Sequence, residues 1–211
     1  MDKREEKKNT IIAKAGVIFL EKGLFNVVMD DIAAAVGLTR RSLYRYFETK
    51  EDLAYEAAIL LLNEWNTYHK EVYSRLSGNG LNQLETFLNQ LISYMNDRIE
   101  IIKFLGEFDF YFKDKKSAKP STDSMTRFNS IILKSDGLLT ELLQKGIEDH
   151  SIKENIEIRL MVATISNVLW CFGQRIAIRN EIIFEETGIR GIELIKNQVS
   201  LYIAALKPTS P

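Results

Sequence analysis

Between Thr39 and Lys50 the chain concentrates side chains that can bond to base edges and to polyanions: Thr39, Arg40, Arg41, Ser42, Tyr44, Arg45, Tyr46 and Lys50. The Thr39 hydroxyl can cap a helix or bond a phosphate. Arg40 and Arg41 can offer paired donors to guanine O6 and N7 or bind phosphate, and the Tyr44 and Tyr46 hydroxyls can donate to a sugar-phosphate backbone. Lys50 stands at a helix start, where the dipole also favours phosphate. A single surface arginine is ordinarily a solvated charge, so this chemistry depends on an element that presents the donors together.

Other reactive residue types are scattered. His69 and His150 are remote from each other and lack a Cys, His, Asp or Glu partner at a recognised ligand spacing, so both are read as surface histidines. Cys171 falls in a segment with the look of a buried helix, and no phosphate-cradling glycine loop is present, Gly78-Asn79-Gly80 reading as a turn. Asp109 and Asp114 beside Lys113, Lys115 and Lys116 read as a solvated charge run. No catalytic constellation, metal site or cofactor is expected, and an enzyme is disfavoured.

The elements that must position residues 39–50 follow from periodicity. Three prolines in 211 residues, two of them in the last four, favour an all-α chain. Ile12, Ala15, Ile18 and Phe19 recur at helical spacing and predict a first helix over 2–22, stopped by Gly23. A short helix over 30–36 ends at Gly37, and Thr39 caps a second over Arg40 to Phe47. Two short helices joined by a tight glycine turn are a helix-turn-helix, here residues 28–47, whose second helix enters the major groove. Ile32, Ala33, Val36, Leu38, Leu43 and Phe47 are its expected core.

Thr49-Lys50-Glu51-Asp52 forms a capping-box start for a long helix reaching about Leu76. Further helices are predicted at about 81–96, 98–113, 122–135 and 138–149, with breaks at Pro120 and Asp136-Gly137. Ser151 to Glu154 reads as a second capping box before a helix over about 153–179, and a last helix spans about 186–206. Ile192, Ile195, Val199 and Ile203 make a stripe on the last helix, while Ala163, Ser166 and Gly173 are small residues where another helix could approach.

The residues from 11 to 53 go further than the pattern. Ile11-Ile12-Ala13-Lys14-Ala15, Phe19, Glu21-Lys22-Gly23, Asp31-Ile32-Ala33, Val36-Gly37-Leu38-Thr39, Leu43-Tyr44, Tyr46-Phe47 and Lys50-Glu51-Asp52-Leu53 together resemble the TetR (tetracycline-repressor) family. The resemblance covers about the first quarter of the chain. It implies a three-helix DNA-binding domain with a helix-turn-helix over 1–48, followed by a larger helical domain for effector binding and dimerisation over 49–211. It also implies that Thr39, Arg40, Arg41, Ser42, Tyr44, Arg45 and Tyr46 fall at recognition-helix contacts and Lys50 at a phosphate contact. Two departures stand out. Arg41 replaces a residue that is small in many relatives, and Val27-Val28 stand where relatives place a Thr or Ser that caps the second helix and touches phosphate.

What the resemblance implies about function is a transcription regulator, usually a repressor, that binds palindromic double-stranded operator DNA as a homodimer through helices 153–179 and 186–206. A small-molecule effector in the second domain would change the separation of the two recognition helices. Use of the long helices within one chain's core stays open, as does an architectural DNA-binding protein without an effector. Sixteen of the twenty-one aromatic residues lie beyond position 50 and can either fill a core or line an apolar pocket.

Charge agrees with this polarity. Net charge is -1, but residues 1–50 carry ten Lys or Arg against seven Asp or Glu, and the remainder eighteen against twenty-two. Lys3, Arg4, Lys7 and Lys8, interleaved with Glu5 and Glu6, read either as flanking phosphate contacts or as a solvated helix end. The charged N-terminus carries no signal core, and the longest apolar candidate, Leu160 to Phe172, includes Thr164, Ser166 and Asn167 and reads as a buried helix. A cytoplasmic protein with no membrane partner is expected.

Overall fold

The computed structural model describes residues 2–113 and 122–208. Among them are nine helices and no strand: α1 Lys3–Lys22, α2 Met29–Ala35, α3 Arg40–Leu43, α4 Lys50–Ser74, α5 Gly80–Asp97, α6 Ile99–Tyr111, α7 Thr122–Glu148, α8 Ile158–Thr187 and α9 Gly191–Leu206. Asp114, Lys115, Lys116 and Pro120 lie outside the described residues. Asp109 and Lys113 are exposed, with the Lys113 ammonium 4.1 Å from the centre of the Phe110 ring.

Two compact units share the chain. The first comprises Met1–Trp65 and Lys103–Ile132, and the second Asn66–Ile102 and Leu133–Pro211. In the first, α1 buries Ile12, Ala15, Ile18 and Phe19, the row its spacing predicted, together with Ile11, and Phe19 stacks on Phe104 of α6 at 5.7 Å. Tyr55 of α4 meets Phe108, Phe112 and Phe128 edge-on at 4.7 to 5.5 Å. Beside these rings, Glu56 is buried, accepts a hydrogen bond from Ser124 at 3.0 Å and pairs with Arg127. A carboxylate out of water needs such partners, since it would otherwise cost several kcal/mol.

In the second unit, α9 packs on α5 and α8. Its apolar stripe is spent there: Ile195, Val199 and Ile203 are buried, together with Leu206, and Ile192 is half-buried. At about 1.5 to 3 kcal/mol per fully buried aliphatic side chain, this stripe belongs to the core of one chain. Gly173 of α8 lets Met95 of α5 approach so closely that an added Cβ would lie 2.0 Å from its methyl.

Several local expectations are corrected. The helices expected at 122–135 and 138–149 are one helix, α7: Gly137 is accommodated without a break, and the side chain of Asp136 accepts from Ser166 of α8 at 2.8 Å. The second capping box does not form. Ser151 donates to Asp149 and accepts the Leu81 N–H at 3.0 Å, while Glu157 caps α8 by accepting the Leu160 N–H at 2.6 Å. Non-helical backbone at Arg179 marks the place where that helix was expected to end, but α8 continues to Thr187, where left-handed Gly188 closes it.

Burial also departs from expectation. His69 is 2% exposed rather than a surface residue, its ring edge-on to Phe87 at 5.5 Å, and burial pushes its imidazole down to about 3, which keeps it neutral. Cys171 is exposed. The reading of α8 as a buried helix is likewise corrected. By length and composition it could cross a membrane, yet only 28% of its apolar window is buried. One row, Val162, Ile165, Leu169, Ile176 and Ile183, faces the core, while Leu160, Val168, Ile178 and Ile182 are exposed.

Candidate DNA-binding site

The helix-turn-helix is anchored from below by apolar residues. Ile32 and Leu43 are fully buried, Ala33 and Phe47 nearly so, and Val36 and Leu38 are half-buried at the turn. Gly37 sits at φ +65, a left-handed conformation that costs a residue with a Cβ, and the Leu38 N–H closes the turn on the Ala33 carbonyl at 2.9 Å. Regular helix ends at Leu43 instead of Phe47. Past it the Arg45 and Tyr46 N–H groups reach back only three residues, to Ser42 and Leu43, which tightens the last turn.

Val28 provides no side-chain cap for α2, as the sequence implied, but Asp31 supplies half of one by accepting the Val28 N–H at 3.0 Å. The Lys22 ammonium, 2.8 Å from Asp31, together with that N–H holds its carboxyl below the ordinary carboxylate range. Thr39 caps α3 by accepting the Ser42 N–H at 3.2 Å, and its hydroxyl donates to the Ser42 hydroxyl at 3.0 Å. These two side chains therefore build the helix start.

The arginines divide into two kinds. Arg40 is held: its guanidinium lies 3.1 Å from Asp30 of α2 and 5.6 Å above the Tyr44 ring. Arg41 and Arg45 are exposed, and neither guanidinium forms an ion pair among the described residues. Tyr44 is exposed and Tyr46 half-buried. One face of α3 and its following turn thus carries Arg41, Tyr44 and Arg45 in solvent, directly above the buried Leu43 and Phe47.

Lys50 occupies a different setting from the residues of α3 and its following turn. Thr49 caps α4 by accepting the Asp52 N–H at 3.0 Å, as the box predicted. The Lys50 ammonium donates to the Leu24 and Val27 carbonyls at 3.0 and 3.1 Å and lies 5.2 Å over the Tyr111 ring. It secures the turn before α2.

The same turn is gripped by the end of α6, a role that no local sequence signal disclosed. Glu107 accepts the Leu24 N–H at 2.7 Å, occupying the space beside Gly23, whose φ of +79 suits glycine. Tyr111 donates to Glu51 at 2.7 Å, and burial with that bond raises its hydroxyl to about 12. Phe25 packs against Phe110 and Tyr111 at 6.0 and 5.2 Å. The N-terminal cations support the other side: Lys7 donates to the Val36 carbonyl at 3.4 Å, Arg4 to the Arg45 carbonyl at 3.5 Å, and Lys8 lies 5.8 Å over Phe47.

Among the described residues no group of three or more His, Cys, Asp or Glu side chains could hold a metal ion. A recess in the second unit, lined by Ile92, Met95 and Asn96 of α5, Ile176 of α8 and Ile195 of α9, contains about 290 Å³ including open solvent.

Comparison with known proteins agrees with this arrangement. The sequence pattern of bacterial regulatory proteins of the tetR family matches residues 11–57. A helix-turn-helix-type transcriptional regulator of Staphylococcus aureus is 30% identical over 144 residues, 61% of this chain and 76% of that protein. The uncharacterised helix-turn-helix-type regulator YvaF of Bacillus subtilis is 33% identical over 93 residues, and the match spans 44% of each chain. The structure of the regulator FadR of Bacillus subtilis, solved with stearoyl-CoA, superposes with a TM-score of 0.67 over 93% of this chain and 97% of that one. At 16% identity, that likeness is one of fold. The all-α architecture, the N-terminal helix-turn-helix and these matches together place the chain in the TetR family of bacterial transcriptional regulators.

Proposed function

We propose that two copies of this chain bind a palindromic operator as a repressor, reading it with the α3 face and responding to a small molecule held by the second domain. The exposed Arg41, Tyr44 and Arg45 above a buried anchor carry the reading, because they supply donors for base edges and phosphates from one rigid face. Residues 1–48 are the DNA-binding part, with Thr39 and Ser42 shaping the start of α3, Arg40 and Tyr46 at its flanks and Lys50 at the edge. Residues 49–211 provide dimerisation and effector binding. A protein acting on chromosomal operators works in the cytoplasm.

The exposed row Leu160, Val168, Ile178 and Ile182 of α8 supports the dimer, since apolar residues at helical spacing in water favour a second copy across a twofold axis. α9 spends its stripe within the chain but leaves Leu201 exposed, so both long helices contribute to that interface. Support for an effector comes from the fold, in which FadR of Bacillus subtilis holds stearoyl-CoA. The Glu107 and Tyr111 contacts suggest the route: an effector that shifts α6 would disturb the 24–27 turn and with it the seat of α2.

Selection of duplexes from a random pool, followed by footprinting, tests the DNA arm. Two inverted half-sites about 34 to 36 Å apart are expected, and failure to enrich any sequence would refute it. For the effector arm, a thermal-shift screen that includes stearoyl-CoA should find a compound that raises Tm and changes operator affinity by roughly 5- to 150-fold. Compounds that raise Tm but leave operator binding unchanged would favour an architectural protein.

A further inference from the structure

A carboxylate close to the recognition helix of a DNA-binding protein works against binding, because it repels phosphate. Asp31 is accounted for by Lys22 and the Val28 N–H. Asp30, its neighbour on α2, has another partner: the Arg40 guanidinium of α3, 3.1 Å away, with both side chains more than half exposed. The Tyr44 ring centre lies 5.6 Å from the same guanidinium, which also donates to the Tyr44 hydroxyl at 3.5 Å. Arg40 is therefore tied both to an anion on α2 and to Tyr44 at the end of α3, while the guanidinium of Arg41 next to it forms no ion pair among the described residues.

Resting on the DNA-binding reading, we propose that Asp30 is a specificity-determining positioning residue that acts through Arg40. On unselected DNA the Asp30 carboxylate keeps the guanidinium from roaming to whichever phosphate is nearest, which lowers non-specific affinity. On the operator the same contact presets the guanidinium beside Tyr44, so less side-chain freedom is lost on binding. Two opposed effects, added repulsion and added preorganisation, then fall unequally on the two kinds of DNA. Exposed ion pairs contribute little to folding, so the function of this one lies in where it puts the arginine rather than in stability.

Asp30→Asn tests this, with Asp30→Ser as a second variant should the first fold poorly and an unchanged Tm as the check on folding. Fluorescence anisotropy is read on a mixed-sequence 30-base-pair duplex and on the operator selected with the natural protein, across about 50 to 200 mM salt. Affinity for the mixed duplex is expected to rise about three- to tenfold, with a salt dependence steeper by about 0.9, the signature of one more phosphate contact. Operator affinity should stay within about twofold, so the specificity ratio falls. Glu48→Gln, the same charge change at another exposed carboxylate, should shift both duplexes alike. In an Arg40→Ala background Asp30→Asn should no longer alter the ratio. Equal shifts on both duplexes, an unchanged ratio, or a ratio change that persists without Arg40 would overturn the proposal. A natural protein that binds no duplex would instead overturn the DNA-binding reading beneath it.

Discussion

Each unit is held together internally by a different means. Around the 24–27 turn of the first, charged side chains bond to backbone: Lys50 to the Leu24 and Val27 carbonyls, Glu107 to the Leu24 N–H, and Asp31 to the Val28 N–H. In the second, α9 gives Ile195, Val199, Ile203 and Leu206 to the core, and His69, at the end of α4 that belongs to this unit, is buried and kept neutral. Helices of seven and four residues cannot hold their own orientation through buried area, so α2 and α3 borrow directional bonds from α1, α4 and α6. Long helices have area to spare, and α8 leaves a row of it in water. The difference teaches that the first unit should respond to changes in charge and the second to changes in apolar surface.

The largest test of that contrast is on α8. Ile178→Asp removes apolar burial twice across a twofold axis and should weaken dimerisation by about 3 to 6 kcal/mol, two to four orders of magnitude, while the isolated chain keeps its Tm. Sedimentation measures the loss, and operator affinity should follow it. An unchanged dimer would remove α8 from the interface. Next comes Arg41→Ala, expected to cost about 1 to 3 kcal/mol on the selected operator and to relax base preference at one position per half-site. Uniform weakening on all sequences would instead make Arg41 a phosphate contact.

His69 sharpens the comparison through pH. Its folded value of about 3 lies below the ordinary 6.5, so between these values the unfolded chain binds the extra proton. The associated stability is fully present above about pH 6.5 and is lost as pH falls, at up to about 1.4 kcal/mol per unit. Urea denaturation at pH 6.5 and 5 should show this decline, and His69→Leu should flatten it. A variant with the same slope would assign the acid sensitivity to other groups.

The smallest effect is expected at Lys50. Lys50→Ala removes two charge-assisted bonds at a half-buried site, for about 1 kcal/mol of stability, and weakens binding to all DNA sequences by loosening the turn before α2. Salt dependence separates two roles. A slope shallower by about 0.9 with unchanged Tm would put the ammonium on a phosphate, whereas a lower Tm with an unchanged slope would confine it to the carbonyls.

Features governed by neighbours in sequence were legible from the residues alone. The buried row of α1, the Thr39 and Thr49 caps, the glycine turn at Gly37 and the absence of a cap at Val28 each depend on groups three or four positions apart, a distance that helical geometry fixes. The placement of Arg41, Tyr44 and Arg45 on one exposed face follows from the same spacing. Local signals misled where a distant partner outweighed them. Gly137 does not break α7, and Ser151 turns to Asp149 and Leu81 rather than capping a helix. Only the tertiary structure decided that Arg40 belongs to Asp30, that Glu107 holds the Leu24 N–H from 83 positions away, that His69 is buried, and that α9 spends its stripe inside the chain while α8 leaves a row exposed. An amphipathic stripe specifies that a face will be covered and a charge that it will be solvated or paired. Which partner does so depends on how nonadjacent helices pack, and no spacing along the chain encodes that.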